Sequence, residues 1–341
     1  MDSELAFYDR LYQRFPVNQL AGYLKETISR KELISLHISK FIEVLCDIEG
    51  TNNFYTKNVI KVLIDNIGLF NETVEPQDNT LQIIANNDIY LSDWLYEKYI
   101  ELLDIQQPTP TTKDVIQYRI NNQIKIKIEE SPYLISAAGT TGFRTWEAAV
   151  YLTKYLIDLG FPPETVMENT LELGSGTGMV SIGLVKKYKD QITTLYITDG
   201  DSQLLEGQLS RNVMLNGIDS SDSVKLQKLR WNEDHIPDNL DLIVAADVTY
   251  DSSVIPSLCH CILDCFKSSN KCSTVCYLAA TRRNQETIAV FEQHCSDLGL
   301  TVKLAACTDS DVNSCKIVED ILFKPLIAPI NIYKITYSAN I

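Results

Sequence analysis

The residues best able to do chemistry lie in four short stretches. Leu171-Glu-Leu-Gly-Ser-Gly-Thr-Gly178 joins an apolar run to an amphipathic one that carries Val180, Ile182, Leu184 and Val185. A strand, a glycine turn and a helix in that order cradle ligands at the carboxyl edge of a parallel sheet, because glycine lets the backbone approach a bound molecule closely. The spacing is GxGxG, not the GxGxxG of dinucleotide sites, and no Lys-Ser or Lys-Thr follows to hold phosphates. Glu172 stands directly before the turn, where a carboxylate repels a pyrophosphate and attracts a cation. Asp199 ends the next apolar run, 25 residues after Gly174. A carboxylate there can accept both hydroxyls of a ribose. S-adenosylmethionine, an adenosine with a sulfonium, an ammonium and no phosphate, suits this pair of acids. Gly174, Ser175 and Gly176 are the turn residues expected to meet it.

Two tryptophans flank the same framework. Trp231 follows the third expected strand, and Trp146 lies in Gly139-Thr-Thr-Gly-Phe-Arg-Thr-Trp-Glu147. An adenine needs a flat apolar wall, which an aromatic face supplies; ordinary packing is the alternative for each. The apolar run Leu240–Ala246 delivers Asp247-Val-Thr-Tyr250 at its carboxyl end. Asp247 can orient and desolvate an amine nucleophile there, and Tyr250 can hydrogen-bond it or wall its channel. A helix-capping Asp with a packing Tyr is the bland alternative. Methyl transfer to an amine requires in-line alignment and a neutral nitrogen. A free lysine with a pKa near ~10.4 is neutral about once in a thousand near pH ~7.4, an offset of roughly 4 kcal/mol. Desolvation and an adjacent cation both lower that offset.

These residues need elements to position them. Residues 1–105 read as helical, with Leu20, Leu24, Ile28, then Leu33, Leu36, Phe41, Val44 and Leu45 at helical spacing. Val59, Val62, Leu63 and Ile67 continue the pattern, and Ile89, Trp94, Leu95, Tyr99 and Leu102 mark a further helix. Residues 106–112 hold two prolines and no apolar residue, which makes them a linker. Beyond it, 116–120 and 124–128 alternate around Asn121-Asn122-Gln123 as a hairpin does. A helix is expected from about Thr145 to Leu159. Short apolar strands then alternate with helix-length segments at 170–173, 195–198, 224–229, 240–246 and 275–280, which predicts a doubly wound α/β sheet. The runs 300–305 and 332–337 are expected to close its edge. The division is therefore a helical domain with its linker over 1–112 and a doubly wound domain over 113–341.

Composition narrows the class. The chain has 341 residues, 45% of them hydrophobic and 22% charged, which excludes a disordered or fibrous chain. Its formal charge of −15 offers no basic footprint for nucleic acid, so no direct nucleic-acid binding is expected. No apolar run is long enough to span a bilayer, and the start lacks a signal-peptide pattern, so a soluble cytoplasmic protein without a membrane partner is expected. The nine cysteines are odd in number and contain no CxxC pair. Cys259, Cys261 and Cys265 beside His260 are read as helix thiols in a reducing compartment, and no metal is expected.

Four stretches carry a resemblance: 138–149, 171–178, Asn212-Val-Met-Leu-Asn-Gly217, and Ala245-Ala-Asp-Val-Thr-Tyr250. Thr281-Arg-Arg-Asn-Gln-Glu-Thr287 and Arg14-Phe15-Pro16 add to it. The chain resembles the seven-strand class I methyltransferases, and within them the elongation factor 2 lysine methyltransferases. The resemblance implies a Rossmann-like seven-stranded sheet and S-adenosylmethionine as cofactor. It implies cofactor contacts at Trp146, Gly174, Ser175, Gly176, Asp199, Trp231 and Ala246, and candidate catalytic roles for Asp247 and Tyr250. Arg230 departs from the Asp common before that tryptophan. Asn-Pro-Pro-Tyr is absent, which argues against a nucleobase or glutamine acceptor. The partner so implied is elongation factor 2, modified by a monomeric enzyme. The alternatives are a different protein lysine, a small-molecule amine, or a non-catalytic binding module.

Overall fold

The computed structural model describes residues 3–29, 38–68, 91–109, 111–131, 141–162, 164–218, 223–269, 271, 273–310 and 312–338. Leu33, Leu36, Ile89, Pro110 and Gly139 lie outside them. The chain divides into two compact units, 1–117 and 118–341.

The first unit contains α1 (Ser3–Tyr12), α2 (Val17–Ser29), α3 (Ile38–Glu49), α4 (Asn53–Asp65) and α5 (Leu91–Glu101). Apolar residues at three- and four-residue spacing give each helix a buried stripe. Phe7, Leu11, Leu20, Leu24, Phe41, Leu45, Ile60, Leu63 and Leu95 meet in one core. Asn52 caps α4, its Oδ1 accepting from the Tyr55 N–H at 2.8 Å. Arg14 is the polar centre of this unit. It has a left-handed backbone, φ +58°. Its buried guanidinium donates to both carboxylate oxygens of Asp114 at 2.9 and 2.8 Å, to Thr51 Oγ1 at 2.8 Å and to the Val115 carbonyl at 2.9 Å.

Asp114 opens β1 (Asp114–Arg119), which forms a two-stranded sheet with β2 (Lys125–Glu130). The boundary between the units falls inside β1. The second unit continues with α6 (Glu147–Asp158), β3 (Asn169–Leu173), α7 (Met179–Tyr188) and β4 (Thr194–Asp199). A helix in three stretches follows, here α8: Ser202–Leu204, a π-helical Leu205–Leu209, and Ser210–Leu215. Then come β5 (Val224–Lys228), β6 (Leu242–Ala246), α9 (Ile255–Ser269), β7 (Val275–Thr281), α10 (Gln285–Asp297), β8 (Leu300–Cys307), α11 (Val312–Leu322) and β9 (Ile330–Tyr337).

Strands β3 to β9 form one seven-stranded sheet in the order β5-β4-β3-β6-β7-β9-β8. The first five are parallel, and β9 runs antiparallel to both β7 and β8. This is the expected doubly wound sheet, and the two runs expected at its edge pair there as β8 and β9. The last strand in sequence does not form the edge; it lies between β7 and β8. Burial explains the placement, because Ile330, Ile332, Tyr333 and Ile335 are buried while β8 exposes half of its residues. The order of strands reverses at β3, so β4 and β6 lie on opposite sides of it. Ligands of such sheets sit outside the carboxyl ends of the strands at that switch point.

Cys259, Cys261 and Cys265 are buried in the apolar layer of α9, with Cys276 and Cys295 nearby. His260 is exposed and turned to the Pro256 carbonyl of its own helix. Among the described residues no helix is long and apolar enough to cross a membrane.

Candidate active site

A cavity of about 800 Å³ opens at the switch point. The turn after β3 forms its floor. Gly174 and Gly176 take left-handed backbones, φ +62° and +53°. A Cβ on Gly174 would come within 2.8 Å of Val248 Cγ1, and one on Gly176 within 3.5 Å of Gly142 Cα. Both positions therefore need glycine for their left-handed conformation, and Gly174 needs it for space as well. Ser175 ties the turn to β4: its N–H and its hydroxyl both donate to the Thr198 carbonyl, at 2.8 and 3.0 Å. Asn212 on α8 braces the turn from behind. Its Nδ2 donates to the Thr177 carbonyl at 3.0 Å, while its Oδ1 accepts from the Glu129 N–H at 2.7 Å.

Two acids face the cavity from below. Glu172 is buried, and its Oε2 accepts from the Ser181 N–H in the first turn of α7 at 3.1 Å. Burial pushes its carboxyl up to about 7, the neighbouring Asp199 adds to the rise, and the Ser181 and Ser175 hydrogen bonds oppose it. Asp199 at the end of β4 accepts from the Gly176 and Asp201 N–H groups at 3.0 and 3.1 Å. Burial raises it as well, against those backbone hydrogen bonds. Each of its oxygens keeps acceptor capacity for a ligand hydroxyl.

The walls are aromatic. Trp146 precedes α6, and its indole N–H donates to the Thr141 carbonyl at 3.1 Å. Thr145 anchors this segment: its N–H donates to buried Glu130 at 2.7 Å, and its hydroxyl pairs with that of Thr177 at 3.0 Å. Trp231 lines the opposite stretch, with its ring edge 3.7 Å from where a Cβ on Gly174 would lie. Ala246 ends β6 in the same cavity. The cation on Arg230 is occupied by Glu233 at 2.8 Å and Asp234 at 3.5 Å.

Asp247 follows β6 with a left-handed backbone, φ +56°. Its N–H donates to the Ala279 carbonyl at 2.8 Å, which fixes the turn against β7. Its carboxylate lines the cavity and accepts from Arg283 on both oxygens, at 3.2 and 2.8 Å, and from the Thr281 N–H at 3.2 Å. Tyr250 stands at the rim, 55% exposed.

All nine candidate residues named from the sequence therefore meet in one cavity, although they come from five segments of the chain. Arg283 and Arg144 lie within motifs visible in the sequence, but neither is singled out there. Both guanidinium carbons lie close to the Trp146 ring centroid, at 4.9 and 4.5 Å. A signal for Arg283 existed. It follows the carboxyl end of β7, next to β6, and so must emerge at the same rim as Asp247.

The cavity fits S-adenosylmethionine by its donor set. A buried carboxyl raised to about 7 has an unmet preference for a positive neighbour, which a sulfonium or an ammonium satisfies. The glycine turn leaves room for a ligand against the backbone.

Comparison with known proteins agrees with this chemistry. The profile of the family described as lysine methyltransferase matches residues 120–294, more than half of the chain. The chain is 41% identical to protein-lysine N-methyltransferase EFM3 of Saccharomyces cerevisiae over 98% of its own length and 99% of that protein's. It is 33% identical to EFM3 of Chaetomium thermophilum, over 62% of this chain and 67% of that one. It is 30% identical to EEF2KMT of Homo sapiens, over 64% of this chain and 69% of that one. An acid-floored, aromatic-walled cleft at the switch point of a seven-stranded sheet is thus matched by relatedness along nearly the whole sequence: the chain belongs to the protein-lysine N-methyltransferase family and is an S-adenosylmethionine-dependent enzyme.

Proposed function

We propose that the methyl acceptor is a lysine of elongation factor 2, modified in the cytoplasm. The observation that carries this reading is the reach of the similarity. It covers the helical unit as well as the methyltransferase unit in a protein-lysine methyltransferase of the same length. A small metabolite would need no such second unit, whereas a folded protein gains specificity from contacts remote from the chemistry. The resemblance to elongation factor 2 lysine methyltransferases names the partner. We assign the helical unit to shaping its docking surface, and we take the enzyme to act as a monomer.

In this reading Gly174, Ser175 and Gly176 hold the amino-acid end of S-adenosylmethionine, with Glu172 beneath it. Asp199 receives the ribose hydroxyls. Trp146, Trp231 and Ala246 bound the remaining wall. When bound, the cofactor supplies an electrophilic methyl carbon whose bond to sulfur breaks as the amine nitrogen bonds to it. The chain's own task is to bring that nitrogen in line and without its extra proton. Asp247 at the inner rim accepts an N–H of the amine and so aims the lone pair. Tyr250 at the outer rim walls the approach of the lysine side chain. The proton leaves the amine to solvent before the lone pair is used.

The test is labelling. The purified chain is incubated with methyl-labelled S-adenosylmethionine and lysate of cells that lack it, and the labelled protein is identified. Label on elongation factor 2 supports the reading. Label on a different protein, or on a small amine, would replace it.

A further inference from the structure

The acid assigned to the acceptor amine is not a free carboxylate. Asp247 has a side chain only 4% exposed, and among the described residues its one cationic partner is Arg283 at 2.8 Å. The contact is two-pronged, and the Arg283 guanidinium is in turn held near the Trp146 indole. Arg283 is steered there by its surroundings. Its N–H donates to the Thr281 carbonyl at 2.9 Å, and Asn284 caps α10 immediately after it. Its neighbour Arg282 turns to Asp309 instead. A planar fork locked on a carboxylate fixes that group's orientation and takes up part of its charge.

That arrangement bears on the acceptor's proton. A lone buried carboxylate beside a lysine would hold it as an ammonium, which has no lone pair to give. A carboxylate already paired with a guanidinium attracts an ammonium less and still accepts a hydrogen bond from a neutral amine. The cavity's other charged and titratable groups are Arg144, Glu172, Asp199, Asp201, Arg230, Glu233 and Tyr250. The acids among them favour the ammonium, which makes a cation on Asp247 the more useful.

We propose that Arg283 is a positioning residue for methyl transfer: its two-pronged grip orients Asp247 and keeps that carboxylate from trapping the acceptor lysine in its protonated form. This rests on the lysine acceptor proposed above. An opposite charge a few Å away moves an amine's pKa by about one unit or more. Arg283→Met is therefore expected to lower kcat near pH ~7.4 by about tenfold or more, with recovery as the pH is raised and the amine loses its proton in solution. The affinity of the S-adenosylhomocysteine-loaded variant for the acceptor protein should be unchanged or tighter, because Asp247 is then free to pair with the ammonium. Arg283→Gln, which keeps a hydrogen-bond donor but no charge, is expected to behave alike. S-adenosylmethionine affinity and the melting temperature are measured alongside. A pH-independent loss of kcat, weaker acceptor binding with kcat retained, or wild-type kinetics in both variants would overturn the proposal. If the unaltered chain fails to modify elongation factor 2, the acceptor reading fails instead, and the same comparison is made on the lysine it does modify.

Discussion

Replacing Glu172 by Gln separates the demands of folding from those of ligand binding. Glu172 is buried at the base of the cavity, and its carboxyl is raised from 4.5 to about 7, first by burial. Between those two values the folded chain holds a proton that the unfolded chain has released. Stability must therefore fall as the pH rises through that window, by on the order of 3 kcal/mol in total. Gln cannot ionise, and its carbonyl oxygen can still accept from the Ser181 N–H. Near pH ~5 the two proteins should differ little. Near pH ~8 the variant should be more stable by on the order of 3 kcal/mol, several degrees in melting temperature for a unit of this size. Asp199 is raised as well and interacts with Glu172, so the difference between the two curves reports Glu172 together with its effect on Asp199. Ligand binding has the opposite sign. A cationic ligand favours the ionised Glu172, so S-adenosylmethionine should release a proton near neutral pH and bind more tightly as the pH rises. Calorimetry in two buffers of different ionisation enthalpy reads that proton directly. In Glu172→Gln the proton release should vanish and the affinity should fall. Parallel melting curves for the two proteins from acid to alkaline pH would refute the assignment of the titration to Glu172.

Three further outcomes are expected. Asp247→Ala should keep S-adenosylmethionine affinity within about threefold and lower methyl transfer by about a hundredfold, measured by calorimetry and by methyl incorporation, because Asp247 meets the acceptor and not the turn. Arg14→Ala should destabilise the helical unit by about 3–5 kcal/mol in denaturant unfolding, since it leaves the carboxylate of Asp114, 7% exposed, buried without its cation. A chain beginning near Thr112 loses Arg14 and Asn52 together, which returns the Asp114 carboxylate to solvent; it is expected to bind S-adenosylmethionine while losing transfer to elongation factor 2, and full transfer would sink the docking role of the helical unit.

The glycine turn, the strand ends and the acids beside them were legible because each depends on local order: a strand that stops, a glycine that must turn left-handed, and a carboxylate at the next residue. Thus Gly174, Asp199 and Asp247 fall where the alternation of strand and helix places them. Contacts across the chain were not legible. Arg14 and Asp114 are 100 residues apart, and nothing in the spacing of either predicts a buried pair. Arg283 was visible as part of a motif, but its grip on Asp247 depends on β6 and β7 lying side by side. The insertion of β9 between β7 and β8 follows from burial on both its faces. A run of alternating apolar residues does not distinguish an inner antiparallel strand from an edge strand. The rise of Glu172 to about 7 is likewise a property of its burial, which the sequence shows only as an acid two residues before a glycine.

The most direct test of the central claim is a reconstituted reaction. The purified full chain, S-adenosylmethionine and unmethylated elongation factor 2 are combined, and the product is digested and read by mass spectrometry. The expected result is methylation of a lysine of elongation factor 2 that requires the intact chain and is lost with Asp247→Ala. Unmodified elongation factor 2, with S-adenosylmethionine demonstrably bound to the enzyme, would contradict it.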